Sequence, residues 1–160
     1  MKIYIGADHR GFELKKELKK FLIEKGYEVE DAGAFKYDKD DDYPDFAEAV
    51  AEKVSKDDSA RGILLCGSGT GMDAAANKVR GVRATLAFSK EITRAARNDD
   101  DVNVISLPAD FLKSQEAEEE NIRPVVLRRW EKISRDLDRG RGRSFDSAKE
   151  VKKWLKHLGK

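Results

Sequence analysis

The chain has 160 residues, a formal net charge of +1, 39% charged and 39% hydrophobic residues, one cysteine and two histidines. That length suits one domain with a real core, and the balanced charge argues against a nucleic-acid or acidic-membrane partner. A single cysteine excludes an internal disulfide framework and a multi-cysteine metal site, and His9 and His157 have no metal-ligand spacing.

Strands and helices alternate along the chain. Lys2–Ala7 reads as a first strand ending at Asp8-His9-Arg10-Gly11. Phe12 to Lys25 places Phe12, Leu14, Leu18, Phe21 and Leu22 at helical spacing, and Gly26 suits the C-terminal cap. Tyr27–Asp31 alternates as a second strand. Ala34 to Tyr43 is a polar, acidic loop. Pro44, fitted to a first helical turn, opens a helix to about Ser55. The apolar run Gly62-Ile63-Leu64-Leu65 ends at Cys66 as a third strand, and Asp73–Lys78 reads as a helix. Val82–Ala87 is a fourth strand, Lys90–Arg97 a helix and Val102–Leu107 a fifth strand. This order implies an α/β fold: a parallel five-stranded sheet with helices on both faces. Ligands in such sheets bind outside the carboxyl ends of the strands. Asp8-His9, Cys66 and Asp99-Asp100-Asp101 are assigned to loops of that kind.

The remainder is helical in pattern. Ile122 to Leu137 is basic and amphipathic, and Ser144 to Leu158 repeats apolar residues at helical spacing. Trp130 and Ile133 face either a core or a partner. Between these segments lies Asp138-Arg139-Gly140-Arg141-Gly142-Arg143. The expected organisation is one domain over 1–160, with an α/β core over 1–113 and a C-terminal helical extension over 114–160. No apolar run is long enough to span a bilayer and no signal-peptide pattern opens the chain, so a soluble cytoplasmic protein with no membrane partner is the default expectation.

The segment Cys66-Gly67-Ser68-Gly69-Thr70-Gly71 holds the most chemistry. A strand, a glycine loop and a helix start turn several backbone N–H groups toward one point. An anion or a developing oxyanion is stabilised there. The same field favours a thiolate, so Cys66 fits a base beside an oxyanion cradle, suited to proton abstraction next to a carbonyl. A lone cysteine at a strand end also fits a small buried hydrophobe. The loop lacks the dinucleotide spacing and the phosphate-loop Gly-Lys-Ser/Thr ending.

Four segments taken together are more specific. They are Ile5-Gly6-Ala7-Asp8-His9-Arg10-Gly11-Phe12-Glu13-Leu14-Lys15, Asp42-Tyr43-Pro44-Asp45, Gly62 to Met72, and Ala75-Ala76-Asn77-Lys78. In this order they closely resemble type B ribose-5-phosphate isomerase, in the sugar-phosphate isomerase family that also contains the galactose-6-phosphate isomerase subunits. The match runs from Met1 to about Leu107. The resemblance implies a Rossmann-like homodimer or dimer of dimers with shared active sites, no metal or nucleotide cofactor, and aldose–ketose isomerisation of a sugar phosphate through an enediolate. It makes Cys66 the general base between C1 and C2. Ser68 assists at the sugar oxygens, and Gly67, Gly69, Thr70 and Gly71 hold the enediolate oxygen. Asp8 and His9 contact the sugar and its phosphate, Tyr43 stands at the site edge, and Asn77 and Lys78 fix the loop and helix.

Three departures stand against that pattern. Asp99 occupies the place of a ring-opening histidine and Asp100 that of an asparagine. At neutral pH a carboxylate accepts a proton but is a poor general acid, so ring opening is served differently or the substrate arrives open. Asp110 stands where the family has a phosphate-gripping arginine, and the usual C-terminal arginine motif is missing. Arg139, Arg141 and Arg143 either replace those arginines, reaching a neighbouring subunit's site, or form a solvated basic loop. The expected function is a ribose-5-phosphate-type aldose–ketose isomerase. The alternative is a catalytically impaired member acting as a sugar-phosphate-binding or partner subunit.

Overall fold

The computed structural model describes residues 1–112. The extension expected over 114–160, with Arg139, Arg141 and Arg143, lies outside them. Five strands form one parallel sheet: β1 (Lys2–Ala7), β2 (Glu28–Asp31), β3 (Arg61–Cys66), β4 (Ala84–Leu86) and β5 (Val104–Pro108), in the order β2-β1-β3-β5-β4. The helices are α1 (Phe12–Glu24), α2 (Tyr43–Ser55), α3 (Thr70–Ala76), α4 (Lys90–Asp99) and a single turn, α5 (Ala109–Leu112). The α/β fold expected from the alternation of elements is therefore the one observed.

Alternation along the strands divides the core between the two faces of the sheet. Ile3, Ile5 and Ala7 of β1, Ile63 and Leu65 of β3, and Ile105 and Leu107 of β5 pack with Leu18 and Leu22 of α1 and Ala96 of α4. Tyr4, Leu64, Cys66 and Val104 point the other way, onto Val50 and Val54 of α2 and Met72 and Ala76 of α3. Ile3, Ile5, Leu64 and Leu65 are 0% exposed, and each such side chain contributes about 1.5–3 kcal/mol of burial. β3 is buried throughout, which explains its continuous apolar run.

The connections after β1 and β3 leave toward opposite layers, since α1 and α3 cover different faces. The carboxyl ends of these adjacent strands thus frame a crevice at a topological switch point. A buried ion pair fixes one wall of it. Lys15 of α1, 1% exposed, donates to Asp31 Oδ1 at 2.8 Å and to the Ala34 carbonyl at 2.6 Å. The segment it holds is also tied to β1, through Ala7 N–H to Gly33 O and Ala34 N–H to Ala7 O, both 2.8 Å. Burial pulls the Lys15 ammonium below its usual range, against the opposing pull of Asp31. Burial also pushes the Asp31 carboxyl up, but hydrogen bonds from Lys15, the Gly33 N–H and Lys19 outweigh it and hold Asp31 below the usual carboxylate range. Among the described residues no helix is long and apolar enough to cross a membrane.

Candidate active site

Cys66 closes β3 and is 4% exposed. The Gly69 N–H donates to its Sγ at 3.2 Å, so the chain curls back over the sulfur. Gly69 adopts a left-handed φ of 77°. A Cβ there would stand 2.3 Å from Leu86 Cδ1 and 3.2 Å from the Pro108 nitrogen, so both conformation and space demand glycine. From the next strand the buried Ser106 Oγ donates to the Gly69 carbonyl at 2.6 Å. α3 therefore starts at Thr70, three residues earlier than its composition suggests. Ser68 Oγ and Thr70 Oγ1 lie 2.8 Å apart on the exposed rim of this loop.

The β1–α1 loop forms the facing wall. The Asp8 N–H donates to the Leu65 carbonyl at 3.2 Å. Asp8 is 5% exposed, and its Oδ1 accepts from the N–H groups of Arg10 and Gly11 at 2.9 and 3.0 Å. Burial pushes the Asp8 carboxyl above its ordinary value, although those N–H donors and His9 pull it down. The side chain thus shapes the turn into α1.

Two residues absent from the expected set complete the cluster. Asp41 Oδ1 accepts from the His9 backbone N–H at 3.0 Å and meets the His9 Nδ1 at 2.6 Å. That contact fixes the imidazole and leaves Nε2 as its other polar atom. Arg10 donates through Nη2 to Asp110 Oδ2, and the Asp110 N–H donates to the Gly67 carbonyl at 3.1 Å. Asp110 is therefore not simply a lost cation: its charge is matched by a guanidinium from the opposite loop. Tyr43, at the start of α2, lays its ring against Gly71, where a Cβ would be 2.8 Å from Cε2.

Asp8, His9, Tyr43, Cys66, Gly67, Ser68, Gly69, Thr70 and Gly71 all lie at this end of the sheet, on its loops, the end of β3 and the first residues of α2 and α3. Asp99 and Asp100 are not. Asp99 is the last residue of α4, and Asp100 its cap. The chain there has still to enter β5, so both carboxylates lie at the amino ends of the strands, opposite Cys66. The expectation that they follow a strand is corrected: they precede one. Their neighbour Asp101, in a left-handed conformation with φ 53°, binds Arg83 and Arg97. Asn103 ties the same end, accepting from the Arg83 N–H at 2.8 Å and donating to the Gly81 carbonyl at 2.9 Å. Asn77 links α3 to β4 through both the N–H and the carbonyl of Ala84, which is a structural role. Arg139 and Arg143 lie outside the described residues. Among the described residues no group of three or more His, Cys, Asp or Glu is placed to hold a metal ion.

Comparison with known proteins gives a consistent picture. Residues 3–123 match the family model described as Ribose/Galactose Isomerase. Ribose-5-phosphate isomerase B of Mycolicibacterium paratuberculosis is 45% identical over 107 residues, covering 67% of each chain. A probable ribose-5-phosphate isomerase B of Mycoplasma genitalium is 45% identical over 115 residues, 71% of this chain and 76% of that one. Among solved structures, the Mycoplasma genitalium enzyme with bound ribulose-5-phosphate aligns with a TM-score of 0.71 at 38% identity, over 86% of this chain and 96% of that one. The Thermotoga maritima ribose 5-phosphate isomerase aligns with a TM-score of 0.72 at 38% identity, over 86% and 97% of the two chains.

Proposed function

The chain belongs to the ribose/galactose isomerase family, and on that premise we propose that it interconverts an aldose phosphate and a ketose phosphate of the ribose 5-phosphate/ribulose 5-phosphate type. The relatives named above are ribose-5-phosphate isomerases, one of them solved with ribulose-5-phosphate bound. The observation that carries the mechanism is the Cys66 sulfur, at a strand end in the switch-point crevice and under the Gly69 N–H.

In this reading the Cys66 thiolate takes the proton from C2 of the open-chain aldose. The electron pair moves into the carbonyl and gives an enediolate, whose oxygen is stabilised by the backbone of Gly67 to Gly71. The C2 hydroxyl proton passes to the C1 oxygen, the abstracted proton returns to C1, and C2 becomes the ketone. Ser68 and Thr70, joined at the loop rim, assist proton movement at the sugar oxygens. Asp8, His9 and Tyr43 hold the sugar. No cofactor is needed for this chemistry.

Asp99 and Asp100 take part only if a second copy brings them to the crevice, because within one chain they sit at the wrong end of the strands. We therefore propose a homodimer or dimer of dimers whose sites combine Cys66 of one protomer with the α4–β5 loop, and with Arg139 and Arg143, of another. The deciding experiment assays the purified protein against pentose and hexose phosphates. Ketose formation from ribose 5-phosphate or a close analogue supports the reading, and no turnover of any aldose phosphate refutes it.

A further inference from the structure

Arg10 and Asp110 sit a hundred residues apart in sequence and meet beside Gly67, the residue after Cys66. A Cβ at Gly67 would lie 2.5 Å from Arg10 Nε, 2.8 Å from Arg10 Cδ and 2.8 Å from Asp110 Oδ2. The arginine stem thus lies along the catalytic loop, and glycine makes room for it. Its base is set by the Arg10 N–H on Asp8 Oδ1. Its carboxylate partner is set by the Asp110 N–H on the Gly67 carbonyl. Yet the charged ends are open, with side-chain exposures of 57% and 35%.

We propose that Arg10 is the substrate's phosphoryl-binding residue and that Asp110 is its internal counter-anion, displaced when a phosphate arrives. The assignment rests on the sugar-phosphate reading of this site. An exposed ion pair adds little stability, so its partners exchange readily. A phosphoryl group brings nearly two negative charges and can take a guanidinium bidentately, whereas Asp110 offers one. Displacement therefore favours phosphate, while an uncharged sugar cannot displace the carboxylate. The pair discriminates phosphorylated from free sugars. It also balances the guanidinium's charge beside the Cys66 loop when the site is empty.

Two measurements on the full chain test this. The first is the KM for ribose 5-phosphate, with competitive inhibition by inorganic phosphate. The second is an NMR titration with inorganic phosphate at millimolar concentrations, which needs no turnover. Arg10→Ala should raise both KM and the phosphate inhibition constant about tenfold or more, with a much smaller change in kcat, and Arg10→Lys should fall between. Asp110→Asn should lower both constants severalfold, because the competitor for Arg10 is removed. Unchanged phosphate binding in Arg10→Ala overturns the assignment, as does a wild-type protein that binds no phosphate. Weakened binding in Asp110→Asn overturns the counter-anion role. If the wild type isomerises nothing yet loses phosphate binding in Arg10→Ala, the isomerase reading fails and the Arg10 assignment stands. If the wild type isomerises and Arg10→Ala binds phosphate normally, the reverse holds.

Discussion

Ser106 and Gly69 are joined by a 2.6 Å hydrogen bond from a fully buried hydroxyl to a loop carbonyl. Through its N–H, the same glycine holds the Cys66 sulfur. The position of the proposed base is thus set from the neighbouring strand. Ser106→Ala removes one of that carbonyl's two donors and leaves the Asp73 N–H at 3.1 Å, at a cost of about 0.5–1.5 kcal/mol. Urea denaturation should show the loss, and kinetics should show a severalfold fall in kcat with little change in KM. A variant that is destabilised but keeps its kcat would confine Ser106 to stability.

Cys66→Ala should lower kcat about a hundredfold or more, the usual scale for a positioned base, while circular dichroism shows an intact fold. The small side chain replaces a buried one that packs with Met72 and Ala76, so folding is preserved. Near-wild-type turnover in the folded variant rules out the role.

Asp31 anchors the buried Lys15. Asp31→Ala strands that ammonium and should cost about 3–5 kcal/mol at neutral pH. The acid dependence follows from the depressed Asp31 carboxyl. Its contribution is fully present above the unfolded value of about 3.9 and is lost as pH falls through the lower folded value. Unfolding followed from pH 7 to below pH 4 should therefore slope more steeply in the wild type than in Asp31→Asn. Parallel profiles would show that the pair does not contribute in this way.

Asp8 has the opposite sign. Its folded carboxyl is raised, chiefly by burial, so the folded state keeps the proton to higher pH than the unfolded chain does. Its effect on stability is a loss as pH rises from the unfolded value through the folded one. Asp8→Asn preserves an acceptor for the Arg10 and Gly11 N–H groups and removes the charge. The variant should be at least as stable as the wild type at pH 7, and less active. A marked fall in its melting temperature would contradict this account.

Shared sites predict complementation. Co-expressed Cys66→Ala and Asp99→Ala/Asp100→Ala chains, each impaired alone, should form mixed oligomers that regain part of the activity. Full activity in the Asp99→Ala/Asp100→Ala protein by itself removes those carboxylates from the mechanism.

Local patterns announced most of the fold. β1 and β3 were legible as short apolar runs, and α1 as a 3.6-residue repeat, because each reports its own burial. β4 is shorter than its composition suggests. The Arg83 and Ala84 N–H groups are taken by the side chains of Asn103 and Asn77, which substitute for ladder bonds at its start. α4 runs two residues beyond the expected Arg97, closed by the Asp100 N–H on the Ala96 carbonyl. Of the site, the Cys66 loop, Asp8, His9 and Tyr43 were readable in contiguous motifs. The partners of His9 and Arg10 were not. Asp41 comes from a loop 32 residues away and Asp110 from α5, 100 residues away, and no local spacing signals such pairs. The end of the sheet at which Asp99 lies was not legible, because a loop's residue types do not say whether it follows or precedes a strand.

Ser106 and Asp110 also set a timetable for synthesis. The Cys66 loop leaves the ribosome well before the segment that holds Gly69 and Gly67 in place. Until Val104–Pro108 emerges, β3 has β1 on one side and an unpaired edge on the other. A nascent chain that has emerged only to about residue 100 would therefore expose a bare apolar strand beside an unanchored cysteine, the state most prone to pairing with another chain.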